Sequence, residues 1–175
     1  KSCENTNGTM AAILGLDDEK IKEICTNYDG NVIATNFNCP GQVVISGEIN
    51  SVKDICEKFN SLGARRSIIL PVGGAFHSSL MNDAKSELKE AIDSTNFSEP
   101  SCPIYQNFNA NKTVVISEIK NNLINQLTNP VLWTQTVNNM INDGINDFIE
   151  VGPGKVLQGL IRKINRDCST KSALV

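Results

Sequence analysis

The chain has 175 residues, a formal net charge of −3, 40% apolar and 5% aromatic residues. That size and balance suit one α/β domain, or one domain with a small insert, and exclude a disordered chain and a basic nucleic-acid footprint. No apolar run approaches membrane-spanning length, and the polar start KSCENTNGTM holds no signal-peptide core.

Residues Lys1–Thr9 carry no hydrophobic period and read as a linker or a cut end. Met10–Leu14 is a short apolar run between Gly8 and Gly15, which predicts a strand. Asp17 and Asp18 supply a helix cap, after which Ile21, Ile24, Cys25 and Tyr28 recur at helical spacing up to Asp29-Gly30. Asn31–Thr35 alternates and Val43–Ser46 is apolar again. NFNCPGQ lies between them with Pro40-Gly41 as its turn signal, so an antiparallel pair is expected. Asn50 is placed to cap a second helix with Val52, Ile55, Cys56, Phe59 and Leu62 on one face, closed by Gly63. Arg65–Val72 reads as a fourth strand. Strand, helix, strand, strand, helix, strand is the split βαβ, ferredoxin-like order.

Beyond that strand, Leu80, Met81, Ala84, Leu88, Ala91 and Ile92 form a helix face that starts near Ser78 or Ser79. Phe97–Pro103 is irregular and Ile104–Asn107 is a short strand. Ser117 is placed to cap a helix carrying Ile119, Leu123, Ile124 and Leu127, which must stop before Pro130. Leu132, Trp133, Val137, Met140 and Ile141 make another helix, ending at Asp143-Gly144. Asp147–Val151 is a strand, Gly152-Pro153-Gly154 a tight turn, and Val156, Leu157, Leu160, Ile161 and Ile164 the last helix. Alternating strands and helices predict a parallel sheet. Two or three strands are too few to close one, so partner strands are expected outside this sequence.

Chemistry has few candidates. The cysteines (Cys3, Cys25, Cys39, Cys56, Cys102, Cys168) are scattered with no C-x-x-C pair, and the chain has one histidine, so zinc and redox motifs are absent. Cys25 and Cys56 fall on apolar helix faces, where cysteine is a small core residue. Free thiols and a reducing compartment are expected. NGT at Asn7, NFS at Asn96 and NKT at Asn111 match the glycosylation triplet, as chance allows in so Asn-rich a chain. The one histidine, His77, follows two glycines in PVGGAFHSSLM, between a strand and a helix, and is the first candidate for acid–base chemistry near neutrality. Ser78 and Ser79 are its neighbours, but sequence neighbours seldom form a dyad, and one of them suits the helix cap. GPGK at Gly152–Lys155 fails the phosphate-loop and dinucleotide patterns, yet such a turn exposes N–H groups at a helix N-terminus, which suits an anion. Arg65-Arg66 reads as edge solvation or as a contact for an acidic partner.

Five stretches in order, MAAILGL, NFNCPGQVVISG, LPVGGAFHSSLM, QLTNPVLW and FIEVGPGKVLQGLIRKI, resemble the malonyl-CoA:acyl-carrier-protein transacylases of fatty-acid synthesis, from about Gly8 to Ile164. The resemblance implies an α/β fold: a ferredoxin-like (βαββαβ) small subdomain at residues 9–70, then an incomplete α/β-hydrolase-like parallel-sheet subdomain at 71–167. Residues 1–8 and 168–175 are left as linker and tail. It implies that His77 is the catalytic histidine and that the backbone carbonyl of Gln126 orients it. Asn38 and Gln42 match the loop that approaches the substrate, and Lys155 and Arg162 are expected against an acidic carrier protein.

The family's nucleophilic serine, in a G-H-S-x-G elbow, and its carboxylate-pairing arginine have no counterpart in this sequence. The nucleophile is therefore expected outside it, and the isolated chain is expected to be inactive. The implied reaction is Ser–His ping-pong transfer of malonyl from malonyl-CoA to the phosphopantetheine thiol of acyl carrier protein, in type II fatty-acid synthesis. It needs no cofactor and no metal, no nucleic acid and no membrane. The complete protein is expected to be monomeric and cytoplasmic, or in a plastid or mitochondrion if eukaryotic. An acyltransferase domain of a polyketide synthase and a non-catalytic carrier-protein-binding module are the alternatives. Phe76 before the histidine resembles malonyl rather than methylmalonyl enzymes.

Overall fold

Residues 7–173 are described by the computed structural model; Cys3, most of the expected linker and positions 174–175 lie outside them. The first half runs β1 (Gly8–Leu14), α1 (Asp18–Thr26), β2 (Val32–Cys39), β3 (Gln42–Glu48), α2 (Ile49–Ser61) and β4 (Arg66–Ile69). The four strands form one sheet in the order β2-β3-β1-β4, with every pair antiparallel. Period-two alternation sends Ala11, Ile13, Val43 and Ile45 to one face, each at 0% exposure. Helical spacing turns Ile21 and Cys25 of α1, and Val52, Ile55 and Phe59 of α2, onto that same face. Each large apolar side chain so buried contributes roughly 1.5–3 kcal/mol before entropy is counted. Burial also pushes the Cys25 thiol up to about 12 and the Cys56 thiol up to about 11, so both are inert core residues.

Several boundaries differ from the sequence reading, each for a local reason. Asp17 caps α1 through hydrogen bonds from the Glu19 and Lys20 N–H groups, both 3.1 Å. The helix ends at Thr26, before Tyr28, whose hydroxyl instead donates to Asp54 Oδ2 at 2.7 Å. Asn50 is not the cap of α2. That helix starts at Ile49, whose N–H is satisfied by the Asn7 carbonyl at 3.1 Å. The expected long connection NFNCPGQ shrinks to Pro40-Gly41, with Gly41 at φ +74°. Residues 36–39 remain in β2, with register shifts at Ala34/Asn36 and Phe37/Cys39.

The second half begins with a 3₁₀ turn at Ser79–Met81 and continues as α3 (Asn82–Ser94), β5 (Ile104–Tyr105), β6 (Lys112–Thr113), α4 (Ile116–Gln126), α5 (Trp133–Asn142), β7 (Asp147–Glu150), α6 (Val156–Ile164) and β8 (Ser169–Ser172). Ser117 does not cap α4; Thr113 Oγ1 takes the Val115 N–H at 3.1 Å one turn earlier. The β5–β6 hairpin is held to the end of α5 by Asp143, which accepts from Tyr105 Oη and from Lys112 Nζ, the latter at 2.8 Å. Residues 168–175 were expected to be a tail. Instead Ser169–Ser172 pairs parallel with β7, and buried Cys168 packs with Val137 and Ile161. STKS has no apolar alternation to announce a strand, and its order comes from backbone bonds to β7 such as Ser169 N–H to Asn146 O at 2.9 Å. The β7–β8 pair leaves Ile149, Val151 and Val156 at 55%, 79% and 70% exposure, although parallel strands ordinarily have both faces covered. Among the described residues no helix is long and apolar enough to cross a membrane.

Phe59 sits at 0% exposure in the centre of the first core. Phe59→Ala is expected to lower the unfolding free energy by about 3–5 kcal/mol, read as a shifted urea midpoint with an unchanged slope.

Candidate active site

The loop from Pro71 to Ser78 leaves β4 and is pressed against the start of β1. A Cβ on Gly8 would lie 2.7 Å from Ala75 N and 2.8 Å from Ala75 Cβ, so only glycine lets the loop approach this closely. Ala75 is fully buried. Ser78, 2% exposed, donates its hydroxyl proton to the Ala75 carbonyl at 2.6 Å and accepts the Leu80 N–H at 3.3 Å. Those bonds commit Ser78 to the turn. Between these anchors His77 adopts φ +61°. The left-handed region costs an L-residue about 1–2 kcal/mol.

The imidazole meets the end of α4. His77 Nδ1 lies 2.9 Å from the Gln126 carbonyl oxygen. A carbonyl oxygen only accepts, so Nδ1 carries a proton, and in the neutral ring Nε2 holds the lone pair. The ring is half-buried, beside a groove of about 390 Å³ lined by Leu88, Ile92, Leu123 and Leu127. This is the constellation of an oriented general base: one nitrogen held by a fixed acceptor, the other free, in apolar surroundings.

Gln126 is itself held. Its side-chain Nε2 donates to the carbonyls of Asn129 and Pro130, both at 3.0 Å. Asn129 Nδ2 reaches back to the Asn125 carbonyl at 2.8 Å, and Lys85 Nζ on α3 donates to Asn125 Oδ1 at 3.0 Å. The next residue, Val131, pairs with β2: its N–H donates to Thr35 O at 2.7 Å and its carbonyl accepts from the Phe37 N–H at 3.0 Å. Leu132 then packs on the core of the first sheet. The segment carrying the His77 partner is thus stitched to the β2 edge of the four-stranded sheet.

Asn38 and Gln42 sit on either side of the Pro40-Gly41 turn, which is fixed by Asp18 Oδ1 accepting the Gly41 N–H at 3.0 Å. Burial pushes the Asp18 carboxyl above its ordinary value, against the lowering effect of that bond. Gln42 Oε1 accepts from Lys163 Nζ at 3.2 Å and from the Cys39 thiol at 3.8 Å. Both receive the carbonyl end, so the Gln42 NH₂ group keeps its donors. Among the described residues no direct hydrogen bond joins Asn38 or Gln42 to His77. Lys155 and Arg162 lie exposed on or beside α6, and Arg162 Nη2 donates to Thr170 O at 3.4 Å, which helps hold β8.

The anion suggested by GPGK belongs to the chain. Glu150 Oε1 accepts the Leu157 N–H at 3.1 Å and Oε2 the Gln158 N–H at 3.3 Å, so the N-terminus of α6 is filled. Partial burial pushes the Glu150 carboxyl up, but the N–H groups of Leu157, Gln158 and Val156 outweigh it and hold it below the ordinary 4.5. Among the described residues no group of three or more His, Cys, Asp or Glu side chains gathers as a metal site. Sequence reasoning missed Gly8, Glu150, Asn129, Val131 and Lys163. A glycine inside a strand signals close backbone approach and would have found the first. An acid ahead of a helix-starting turn would have found the second. Asn129 acts within its own turn, and Val131 and Lys163 depend on contacts between distant segments.

A family model described as acyl transferase domain matches residues 2–174, beyond both ends of the resembling stretch Gly8–Ile164. The malonyl CoA-acyl carrier protein transacylase of Bacillus subtilis is 42% identical over 166 residues, which is 93% of this chain and 52% of that protein. The crystal structure of an acyl-carrier-protein S-malonyltransferase from Burkholderia pseudomallei superposes with a TM-score of 0.91 at 37% identity, over 94% of this chain and 54% of that one. A type II PKS acyl-carrier protein in complex with its malonyl-transacylase matches with a TM-score of 0.88 at 34% identity, over 97% and 55%. The chain therefore has the mixed α/β fold of these structures and spans about half the length of the curated relatives it matches.

Two measurements probe this geometry. Because His77 sits at φ +61°, His77→Gly is expected to be more stable than His77→Ala by about 1 kcal/mol, read by denaturant melts. A depressed folded-state carboxyl stabilises above its unfolded value and loses that contribution as pH falls through the folded one. Glu150→Gln is therefore expected to melt lower than the native chain at pH 7, with the gap closing below about pH 4.5.

Proposed function

This chain belongs to the acyl transferase domain family, and on that premise we propose that it supplies the general base and the substrate-facing part of an enzyme that moves a malonyl group from malonyl-CoA to the phosphopantetheine thiol of acyl carrier protein. The observation that carries the proposal is the bond between His77 Nδ1 and the Gln126 carbonyl, which leaves Nε2 free to take a proton. The names of the relatives supply the substrate class.

In this reading, Nε2 of His77 removes the proton of a serine hydroxyl as that oxygen attacks the thioester carbonyl of malonyl-CoA. The tetrahedral intermediate collapses, the carbon–sulfur bond breaks, and the imidazolium returns the proton to the departing CoA thiolate. In the second half the phosphopantetheine thiol gives its proton to Nε2 and attacks the malonyl ester. The serine oxygen leaves as the imidazolium reprotonates it. The Gln126 carbonyl stabilises the imidazolium through Nδ1–H in both halves, the part an aspartate plays in a full triad. Thioester is exchanged for thioester, so positioning and oxyanion stabilisation suffice without a cofactor. The serine and the oxyanion donors come from residues outside this sequence.

Residues 9–70 act as a ferredoxin-like small subdomain and residues from 71 onward as part of an α/β-hydrolase-like large one. His77 stands where the chain passes between them. Asn38 and Gln42, on the turn fixed by Asp18, present amide groups to the substrate, and Lys155 and Arg162 offer positive charge to the acidic carrier. The bare face of Ile149, Val151 and Val156 supports a sheet completed by further strands. A non-catalytic binding module has no use for a histidine locked in one tautomer, so the geometry favours the enzyme over that alternative.

Incubation with radiolabelled malonyl-CoA is expected to leave no stable ester on the 175-residue chain alone. A protein that joins it to the serine-bearing segment is expected to take up label, with His77→Ala slowing transfer about 10²–10⁴-fold. A malonyl ester on the isolated chain would overturn the placement of the nucleophile, and full activity in His77→Ala would overturn the role of the base.

A further inference from the structure

Every variant at position 126 keeps a backbone carbonyl, so a partner for His77 that is main-chain alone would make the side chain there irrelevant. The hydrogen bonds indicate otherwise. Gln126 Nε2 donates to two carbonyls, Asn129 O and Pro130 O, each at 3.0 Å, and thereby closes the turn that follows its own residue. Asn129 Nδ2 closes the same turn in the opposite direction, onto Asn125 O at 2.8 Å. The Gln126 carbonyl belongs to the last residue of α4, where backbone acceptors have lost their intrahelical donors and fray most readily. The end beyond the turn is fixed by Val131 on β2.

We infer that the carboxamide side chains of Gln126 and Asn129 are positioning residues that hold the Gln126 carbonyl on His77 Nδ1 and so set the histidine tautomer. Neither side chain hydrogen-bonds the imidazole; both act through the carbonyl. A free helix-terminal carbonyl would be solvated and mobile, and the imidazole would then distribute its proton between both nitrogens. With both amides in place, the acceptor stands 2.9 Å from Nδ1 before any substrate arrives. This inference rests on the reading of His77 as the base, but it concerns the ring's protonation pattern, which can be observed without turnover.

The chain contains one histidine, so long-range ¹H–¹⁵N spectra of the ¹⁵N-labelled full chain, recorded where the ring is neutral, report His77 alone. The native chain is expected to show the Nδ1–H tautomer, with Nε2 at the shift of an unprotonated nitrogen. In Gln126→Ala and in Gln126→Glu, which keeps the length and loses the donors, the ratio of Nδ1–H to Nε2–H is expected to fall about tenfold, the upper end of what one neutral hydrogen bond is worth. Asn129→Ala is expected to shift the ratio in the same direction. Backbone amide spectra of the same samples show whether each variant is folded, and Gln126→Glu carries the test if Gln126→Ala is not. A native tautomer ratio in folded Gln126→Ala or Gln126→Glu would overturn the inference while leaving the acyl-transfer reading intact. Loss of the tautomer together with full transfer activity in His77→Ala would do the reverse.

Discussion

Val131 is the joint on which the rest depends. Its backbone pairs with Thr35 and Phe37 on the edge of β2, and Leu132 beside it packs into the core of the sheet. An edge strand offers unpaired N–H and C=O groups, and burying them without partners would cost more than the pair of bonds itself contributes. β2 therefore needs something at this edge, and the chain fills it with the residue that follows the Gln126–Pro130 turn. The consequence reaches His77. The Gln126 carbonyl is aimed by a turn fixed at one end to α4 and at the other to the four-stranded sheet, so the histidine's partner stays in place as long as the two halves remain paired.

The histidine loop is built in a complementary way. His77 carries a left-handed backbone, and the residues around it offset that strain. Gly8 allows the loop to touch β1, buried Ala75 plugs it there, and Ser78 spends its hydroxyl on the Ala75 carbonyl. A serine adjacent to a histidine thus serves the turn. Two constrained segments, loop 71–78 and turn 126–130, meet in one hydrogen bond.

Charge in the second half of the chain is used internally. Glu150 occupies the N-terminus of α6, while Asp143 gathers Tyr105 and Lys112 at the end of α5. Both acids tie short elements that bury too little apolar surface to stand alone. The first half has acid ties too, Asp18 on the Gly41 N–H and Asp54 on Tyr28, but its sheet also has a continuous core beneath two helices. The second half relies on its ties and still leaves apolar residues of β7 and α6 open, as expected of a parallel pair with few strands.

Much of this was legible in the sequence. The apolar runs Met10–Leu14 and Val43–Ser46, the alternation of Asn31–Thr35 and the 3.6 period of Val52, Ile55 and Phe59 determined the elements of the first half, because burial on one face acts over a few neighbouring residues. His77 stood out as the only histidine, and the resemblance paired it with Gln126. Where side chains compete for backbone groups, local signals misled: Asn50 and Ser117 look like caps, but Asn7 and Thr113 took those roles. Ser169–Ser172 looks like a tail because its order comes from pairing with β7, to which its own composition contributes nothing. Only the tertiary structure decided that the strain at His77 is carried by Gly8, that the helix anion is Glu150, and that Val131 joins the two halves. Glu150 lies only seven residues before the Leu157 N–H it accepts, but the Gly8 and Val131 contacts join residues far apart in the chain, and periodicity along a sequence cannot report which distant segment supplies a partner.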